Sequence, residues 1–505
     1  MTLNQSMSIS LNSMKNNQYA LTVVSHNIAN LNTEGYHRQR VNFAEERYTT
    51  NCKSVIDTIK GMNGAKIDSL TGFIDEGAFN DLIDKNADAE YYNKLSGILD
   101  DLGNITDELG ENGLGALLNE FYTAASNLEK YPTNVAIRQQ FLLAADNVCD
   151  KFNYTANKLN DFETTQCDDV KMGLATINSL LDNLAEANLA HVTNNQSDAT
   201  RSTIDNILTE LSNYVDVNTT TNANGSVNLI VNGLEVVKGT EVKFTFESEY
   251  DATADKPLSI YLKTTDGTDK KTDSINDSFA AGALRAYNDF LNGTGSKITS
   301  LSDVKEFVNK AATAFGNALN DIQLYQDGDV IAASITADAD GNMILEQATT
   351  PLIVTSDGGG TINASNIKIN PEMEKNPFLV AAARVDKSQY EGDEWQKAIG
   401  NSDNAAEFSA LRSAKLIDYN GVKMTLSDYL IANSAKAGMD AANVGDKADL
   451  YQDIADSAAA NYSNLIGVNL DEELADMIKY QRSFEASARI FAAVNSVMET
   501  IINMV

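Results

Sequence analysis

The sequence predicts an α+β protein of several domains, with coiled-coil helices at the N- and C-termini, a nested helical-bundle domain and an inserted β-rich outer domain. Two observations lead to this prediction. Apolar residues recur in steps of four and three at both ends of the chain, which is the spacing of a coiled coil. Between the ends, helical spacing gives way to alternation of apolar and polar residues and then returns. The length of 505 residues leaves room for about three or four domains.

The C-terminal run 470–505 carries the longer of the two apolar stripes. In alternating steps of four and three from Leu470, every position except Gln481 and Asn495 is apolar, and neither Pro nor Gly interrupts the run. Such a stripe is typical of a helix that packs along its whole length against a partner helix. The positions predicted to make the contact are Leu474, Met477, Phe484, Ala488, Phe491 and Met498.

The first thirty residues repeat the same spacing. The stripe contains the apolar residues Leu11, Met14, Leu21 and Ile28, with Gln18 and Ser25 between them. Two interpretations stay open at this point. The two terminal helices can pair within one chain and close a domain, or they can form an interface between copies.

Composition excludes several classes of partner. Against 38 basic residues stand 71 acidic ones, giving a formal net charge of −33. Nucleic acid and anionic membrane surfaces bind clustered Lys and Arg, so neither is an expected partner. No apolar run approaches the roughly 18 residues of a transmembrane helix, so no membrane insertion is expected. The N-terminus lacks the pattern of a signal peptide, which leaves a cytoplasmic protein or one exported without a cleaved signal.

Catalytic and metal-binding patterns are not found. The three cysteines, Cys52, Cys149 and Cys167, have no CxxC spacing, and free thiols are expected. The three histidines fit no zinc-ligand motif, and no Walker, GxSxG or GxGxxG motif occurs. We therefore expect no catalytic residues, no cofactor and no metal. An enzyme within the outer domain is the alternative, which a cluster of His or Cys with acids would favour.

The periodicity also predicts the domain order. Residues 1–35 and 466–505 form the terminal domain, 36–214 and 371–465 a mainly helical domain, and 215–370 the β-rich outer domain, with helices at about 277–324. A strand is expected at 38–43. Thr133 is the expected cap of a helix that runs on to about Leu184. In the second helical part, helices are expected from near Pro377, over 403–416 and over 427–465.

A family resemblance appears at both ends. The N-terminal run from Ala20 to Gln39 resembles the signature of the bacterial flagellar axial proteins, which include rod, hook and hook-associated proteins. Residues 467–498, with Asn469-Leu470, Tyr480-Gln481 and Ala488-Arg489, are similar to the matching C-terminal signature. In this family the terminal helices form the inner tube of the flagellar axis, and the resemblance implies the same here. The N-terminal signature residues are Asn27, Ile28, Ala29, Asn30, Asn32, Thr33, Gly35 and Tyr36.

The helical part narrows the resemblance to the hook-associated members. Gly113-Leu114-Gly115, Pro132 and the run Ala136-Ile137-Arg138-Gln139 resemble these proteins, which lie at the junction of hook and filament. The resemblance implies self-association in a ring, contact with hook protein and with a second hook-associated junction protein, and export by the flagellar type III apparatus with a dedicated chaperone. A hook or distal rod protein of the same family and a secreted coiled-coil adhesin are the alternatives. The long helical part argues against a hook or rod protein.

Overall fold

The terminal helices form an antiparallel pair. The computed structural model describes residues 3–33, 36–47, 62–72, 75–107, 113–194, 198–251, 254, 256–268, 270–293 and 298–504. Helix α1 (Leu3–Ala29) packs along helix α11 (Leu470–Asn503). Ser13 contacts Ser487 and Asn27 contacts Glu473, so residue numbers rise along α1 as they fall along α11.

Local sequence explains where α11 begins. The side chain of Asn469 accepts hydrogen bonds from the backbone N–H groups of Asp471 and Glu472, which have no partner within the helix. Three acidic residues occupy the first turn, where the helix dipole favours negative charge. Asn469 and the acids after it therefore fix the start of the helix.

Two antiparallel strands cover one side of α1. Strands β1 (Gln39–Arg47) and β2 (Met62–Gly72) pair with each other, and Val41 packs with Ala20 and Val23 of α1 in a small core. The Nδ2 atom of Asn16 donates to the carbonyl of Ala65 at 2.6 Å, which ties α1 to β2. The predicted strand at 38–43 is confirmed in β1, which begins one residue later and extends to Arg47.

A second antiparallel helix pair continues from the first. Helices α2 (Glu76–Asp107) and α10 (Leu426–Ile466) pack along each other. Tyr92 stacks on Tyr451 with ring centroids 4.6 Å apart, and Asn93 Nδ2 donates to Gln452 Oε1 at 2.8 Å. The predicted helix over 427–465 is confirmed, with one more residue at each end.

Helix α4 is the longest element of the fold that the structure describes. The bundle adds α3 (Leu114–Lys130), α4 (Val135–Thr193) and α5 (Asp198–Ser212) to α2 and α10. At 59 residues α4 is about 88 Å long, and it runs past the predicted end at Leu184. Its cap is Asn134 rather than Thr133, because the Asn134 side chain accepts from the N–H groups of Ala136 and Ile137.

The buried Arg138 joins α4 to the later part of the chain. Its Nε donates to the carbonyl of Pro132 at 2.6 Å, and its Nη1 donates to the carbonyl of Val380, also at 2.6 Å. Burial lowers the pKa of Arg138 to about 10. Carbonyl oxygens satisfy the guanidinium here, so its burial is compensated by hydrogen bonds.

The outer part is rich in short antiparallel strands with two helices between them. Its first sheet and hairpin contain β3 (Asn218–Thr221), β4 (Val227–Val231), β5 (Leu234–Lys238), β6 (Glu241–Val242), β7 (Phe244–Tyr250) and β8 (Leu258–Thr264). Helices α6 (Ala283–Asn292) and α7 (Leu301–Gln323) follow. The remaining strands of this part are β9 (Gln326–Asp327), β10 (Val330–Ala337), β11 (Met343–Gln347), β12 (Ile353–Thr355) and β13 (Ile367–Ile369).

Two asparagines attach this part to α4. Asn178 exchanges two hydrogen bonds with the backbone of Phe246, of 2.9 and 2.8 Å. Asn188 does the same with Val227, at 2.8 and 2.9 Å. Each side-chain amide imitates a neighbouring strand, so strand backbone can pack directly against a helix without leaving polar groups unpaired.

The stretch 371–465 departs most from the sequence prediction. Helix α8 (Pro371–Lys375) starts before Pro377, which begins a short 3₁₀ turn (Pro377–Leu379). Helix α9 (Asp403–Ala410) ends six residues before the predicted end, and β15 (Ile417–Tyr419) and β16 (Val422–Met424) form a hairpin. Strand β14 (Ala383–Asp386) pairs with β10, so one sheet includes strands from both sides of residue 370.

Candidate assembly site on the terminal helix pair

Small and polar residues line the contact between the terminal helices. On α1 the buried positions include Ser10, Asn17 and Ala20. Ser13 and Ser487 share a hydrogen bond of 2.8 Å across the pair. Small side chains allow the two helices to approach closely, and the hydroxyl pair fixes their register. The pair thus exists within one chain.

The apolar stripe predicted on α1 lies beside this contact rather than in it. The predicted residues follow the buried ones by one position, which is a rotation of about 100° around the helix. Met14, Leu21 and Ile28 are half-buried at the edge of the pair, and Leu11 is exposed. The sequence prediction selected the stripe with the largest apolar side chains. The stripe that α11 actually covers consists of Ser, Asn and Ala residues, which are smaller or polar.

Most of the predicted residues of α11 lie on the side of the helix that packs against α1. Leu474 is 43% exposed. The other predicted positions are half-buried: Met477, Phe484, Ala488, Phe491 and Met498. The fully buried residues of α11 are Glu473 and Ser487, and Met477, Phe484 and Phe491 lie three or four residues from them on the same side of the helix.

Sequence reasoning missed a row of exposed apolar residues on α11. Ile490 is 54% exposed and Val497 is 49% exposed, and the two are seven residues apart. We call the exposed apolar residues Ile490, Val497 and Ile501 the outer face of α11, because steps of seven and four place them within about 40° of one another around the helix. The exposed Leu474 and Ile478 lie on a different side of the helix. The seven-residue spacing of Ile490 and Val497 was the signal in the sequence for this face. Large apolar side chains exposed on one side of a helix favour an interaction site.

Asn27 forms a polar cluster where α1 meets the segment that follows it. Its Oδ1 accepts from the Tyr36 hydroxyl at 2.9 Å and from the Gln39 N–H at 3.1 Å. Its Nδ2 donates to the Gln39 carbonyl at 2.9 Å and to Glu473 Oε2 at 3.0 Å. All the hydrogen-bonding capacity of this buried amide is used, so Asn27 fixes the chain reversal after α1 against α11.

Glu473 and Arg38 complete the polar cluster. Arg38 Nε donates to Glu473 Oε1 at 2.7 Å, and its Nη1 donates to Glu472 Oε2. Burial alone would lower the pKa of Arg38, but the hydrogen bonds and charges of Glu472 and Glu473 raise it overall. The backbone N–H of Arg38 donates to the carbonyl of Ile466 at 2.9 Å, so this residue also binds the end of α10.

The other signature residues are placed around the turn after α1. Asn30 Nδ2 donates to the His26 carbonyl at 2.9 Å and so caps the helix end. Ile28 is half-buried, and Ala29, Asn32 and Thr33 are exposed. Gly35 lies outside the described residues. Of the signature, the structure brings Asn27 and Tyr36 together in the polar cluster.

Within the described ranges, no group of three or more His, Cys, Asp and Glu side chains is arranged to hold a metal ion. No helix in the same ranges has both the length and the apolar character needed to cross a membrane.

Three family models match the chain in order. A model described as flagella basal body rod protein matches residues 7–37, the helical domain of flagellar hook-associated protein FlgK matches 99–328, and the C-terminal model of flagellar basal body rod FlgEFG proteins matches 460–504. The terminal matches cover most of the antiparallel pair and include Asn27, Tyr36 and Glu473 of the polar cluster. Paired termini enclosing a helical domain define an axial structural protein of the bacterial flagellum.

The chain also aligns with full-length relatives. Flagellar hook-associated protein 1 of Bacillus subtilis (strain 168) is 21% identical over 514 residues, covering 96% of this chain and 95% of that protein. The protein of the same name from Escherichia coli (strain K12) is 20% identical over 544 residues, covering 96% and 97%. The chain is therefore similar to flagellar hook-associated protein 1 over almost its whole length.

A solved structure has the same fold. The flagellar hook junction protein FlgK from Burkholderia pseudomallei aligns with a TM-score of 0.56 at 11% identity, covering 76% of this chain and 98% of that one. At this level of identity, the similarity concerns the fold alone.

Proposed function

We propose that this chain joins the flagellar hook to the filament by helix packing between copies and takes no part in catalysis. The observation that carries the proposal is the outer face of α11. Its apolar side chains stay exposed although α11 is already packed against α1 through the Ser13–Ser487 contact. Such a row is costly in water and stable against another copy. The matching helical domain over 99–328 favours this function over that of a hook or distal rod protein.

The mechanism follows from the two faces of the terminal pair. The inner face, with Ser13 and Ser487, holds the two ends of one chain together in register. The outer face of α11, the half-buried Ala488 of the same helix and the edge residues Leu11, Met14, Leu21 and Ile28 of α1 would contact neighbouring copies in a ring. The same edges would bind hook protein on one side and a second hook-associated junction protein on the other. The helical and β-rich parts would separate and orient the copies.

The route to this location is part of the proposal. We infer that the protein is exported by the flagellar type III apparatus without a cleaved signal peptide, and that a dedicated chaperone covers the C-terminal helix until assembly. Covering would keep the outer face of α11 from aggregating. Mass measurement of the protein released from flagella checks the uncleaved N-terminus.

Electron microscopy of cells that lack the protein tests the function. Hooks without filaments are the expected result, with filaments restored by the parent gene. Intact filaments in the deletion strain would contradict the proposal. Failure of the protein to co-purify with hook–basal bodies would also contradict it, and would favour an adhesin.

Variants of the outer face test the mechanism. Ile490→Asp combined with Val497→Asp puts two charges into the proposed contact and should give protein that is exported but leaves hooks bare. Ser496→Asp is the matched control, because Ser496 is exposed and polar on the same helix. Equal filament formation by both variants would contradict the role of the outer face.

A further inference from the structure

His37 lies between the terminal helix pair and the helical domain. It belongs to the segment that joins α1 to β1, and only 2% of its surface is exposed. Its Nε2 is 3.2 Å from Oδ2 of Asp205, a residue of α5. The next residue, Arg38, bonds through its N–H to the Ile466 carbonyl at the end of α10. The side chain of His37 therefore reaches from the terminal part of the fold into the helical domain.

The helical domain holds Asp205 in place independently of His37. Arg201 Nε donates to Asp205 Oδ1 at 2.9 Å. The Tyr462 hydroxyl donates to Oδ2 at 3.4 Å, and the Tyr462 ring meets the His37 ring edge-on with centroids 6.4 Å apart. Asp205, Arg201 and Tyr462 are all buried. These three side chains form the site that binds His37, and its geometry is set by α5 and α10 alone.

The second ring nitrogen of His37 is left without a hydrogen bond. A carboxylate is an acceptor, so Nε2 must carry the hydrogen that faces Asp205. Nδ1 is buried and has no hydrogen-bond partner. A buried polar atom without a partner is unfavourable relative to the same atom in water. The closed position of His37 is thus stabilised by the Nε2 contact with Asp205 and destabilised by the unpaired Nδ1.

We propose that His37 and Asp205 form a latch that sets the orientation of the terminal helix pair relative to the helical domain. In the closed form, Nε2 binds Asp205. In the open form, Nδ1 is hydrated while Arg201 and Tyr462 keep Asp205 satisfied, so opening leaves no unpaired charge behind. The latch changes conformation at this joint while both units stay folded. Its use in fitting copies into a ring rests on the proposed function, but the latch itself does not.

Hydrogen exchange of the full-length monomer tests the latch directly. The reporter is the peptide covering residues 36–40, which includes the Arg38 amide, and the reference is the core of α4. In the parent protein the reporter should exchange at least about 100-fold faster than the reference, because local opening needs no global unfolding. Equal exchange at the two places would overturn the proposal.

Three substitutions separate the hydrogen bond from packing. His37→Gln keeps a donor near the position of Nε2, whereas His37→Asn is too short and His37→Phe fills the space without a donor. Exchange of the reporter should rise about tenfold in the Asn and Phe variants and stay within about threefold of the parent in the Gln variant. Parent-like exchange in the Asn and Phe variants, or equal acceleration in all three, would overturn the proposal. Because the readout needs no assembly, it is independent of the outcome of the filament experiments.

Discussion

Asn27 and Glu473 are 446 positions apart in the chain, and their side chains are joined by a 3.0 Å hydrogen bond. Glu473 also accepts from Arg38 at 2.7 Å, and it is 1% exposed. One carboxylate thus binds α11 both to the end of α1 and to the segment after it. The register of the terminal pair depends on this group as well as on the hydroxyl pair of Ser13 and Ser487.

Removing this carboxylate should loosen the terminal pair alone. We expect Glu473→Ala to destabilise the pair by about 1–3 kcal/mol, because the buried Asn27 amide loses a partner while Arg38 keeps Glu472. Hydrogen exchange in α1 and α11 should accelerate while that of α4 stays constant. Glu472→Ala is the control, since the Glu472 side chain is 59% exposed and its ion pair is worth less than about 1 kcal/mol. Uniform acceleration along the whole chain would contradict the local role.

Long periodic helices were the part of the fold that sequence predicted well. The stripe over 427–465 became α10, because many regularly spaced apolar residues outweigh single exceptions. The stretch 403–424 was harder to predict: α9 stops at Ala410 and a short hairpin follows, stabilised by contacts made far away in sequence. Short elements of this kind depend on tertiary packing more than on local preference.

The candidate site shows a different limit of sequence reasoning. The stripe of α1 was predicted from its large apolar residues, but the contact with α11 uses Ser10, Ser13 and Asn17. Hydropathy gives such residues no weight, and their role comes from small size and hydrogen bonding. Ser13 bonds to Ser487 of α11, whereas Ser10 and Asn17 donate to carbonyls within α1. The partner of Asn27 could not be inferred either, since one sequence does not show which of 71 acids lies beside it.

Backbone geometry at Gly282 gives a prediction for the contact between the outer part and the helical domain. Gly282 has φ of +82°, its N–H donates to the Ala87 carbonyl, and a Cβ atom there would lie 2.5 Å from the Tyr214 carbonyl carbon. Gly282→Ala should therefore lower the free energy of unfolding by about 3 kcal/mol or more. Gly267→Ala is the matched control. Gly267 has φ of +80° with no atom within 4 Å of the added Cβ, so about 1 kcal/mol is expected. Urea titration measures both, and equal losses would contradict the steric argument.

The cysteines provide a chemical prediction. Cys149 and Cys167 are free and buried in α4. Eighteen residues of helix separate them by about 27 Å, too far for a disulfide. Burial raises the pKa of both thiols, that of Cys167 to about 11. At pH 8 neither should react with a thiol reagent in the native protein.

Counting thiols before and after denaturation checks this prediction. All three cysteines should react in guanidinium chloride, including Cys52, which lies outside the described residues. The intact mass should show no disulfide. Since reactivity requires the thiolate, reaction of Cys167 in the folded protein should increase as the pH approaches 11. Rapid labelling of Cys149 or Cys167 at pH 8 would show that α4 opens at these positions.

The last prediction separates assembly from folding. Ala488 is half-buried at the edge of the terminal pair, next to the buried Ser487. Ala488→Asp would place a charge where a neighbouring copy is proposed to pack, at a cost of about 2–4 kcal/mol for each interface if the charge stays unpaired. In the monomer the same carboxylate can reach water, so the unfolding midpoint of the helical domain should not change. The variant should be exported and yet fail to join hook to filament.

Glu485→Lys is the control for this variant. The Glu485 side chain is 54% exposed and has an ion-pair contact with Arg482 of 3.8 Å, so its loss should be nearly neutral. Export is measured separately for both variants by quantifying secreted protein, because a chaperone bound to α11 would also meet Ala488. Normal filaments with Ala488→Asp would contradict an interface at this position. A lowered unfolding midpoint of the helical domain would mean that Ala488 is part of the core of the monomer. A substitution in the terminal pair can change the stability of that domain only if the two share a core.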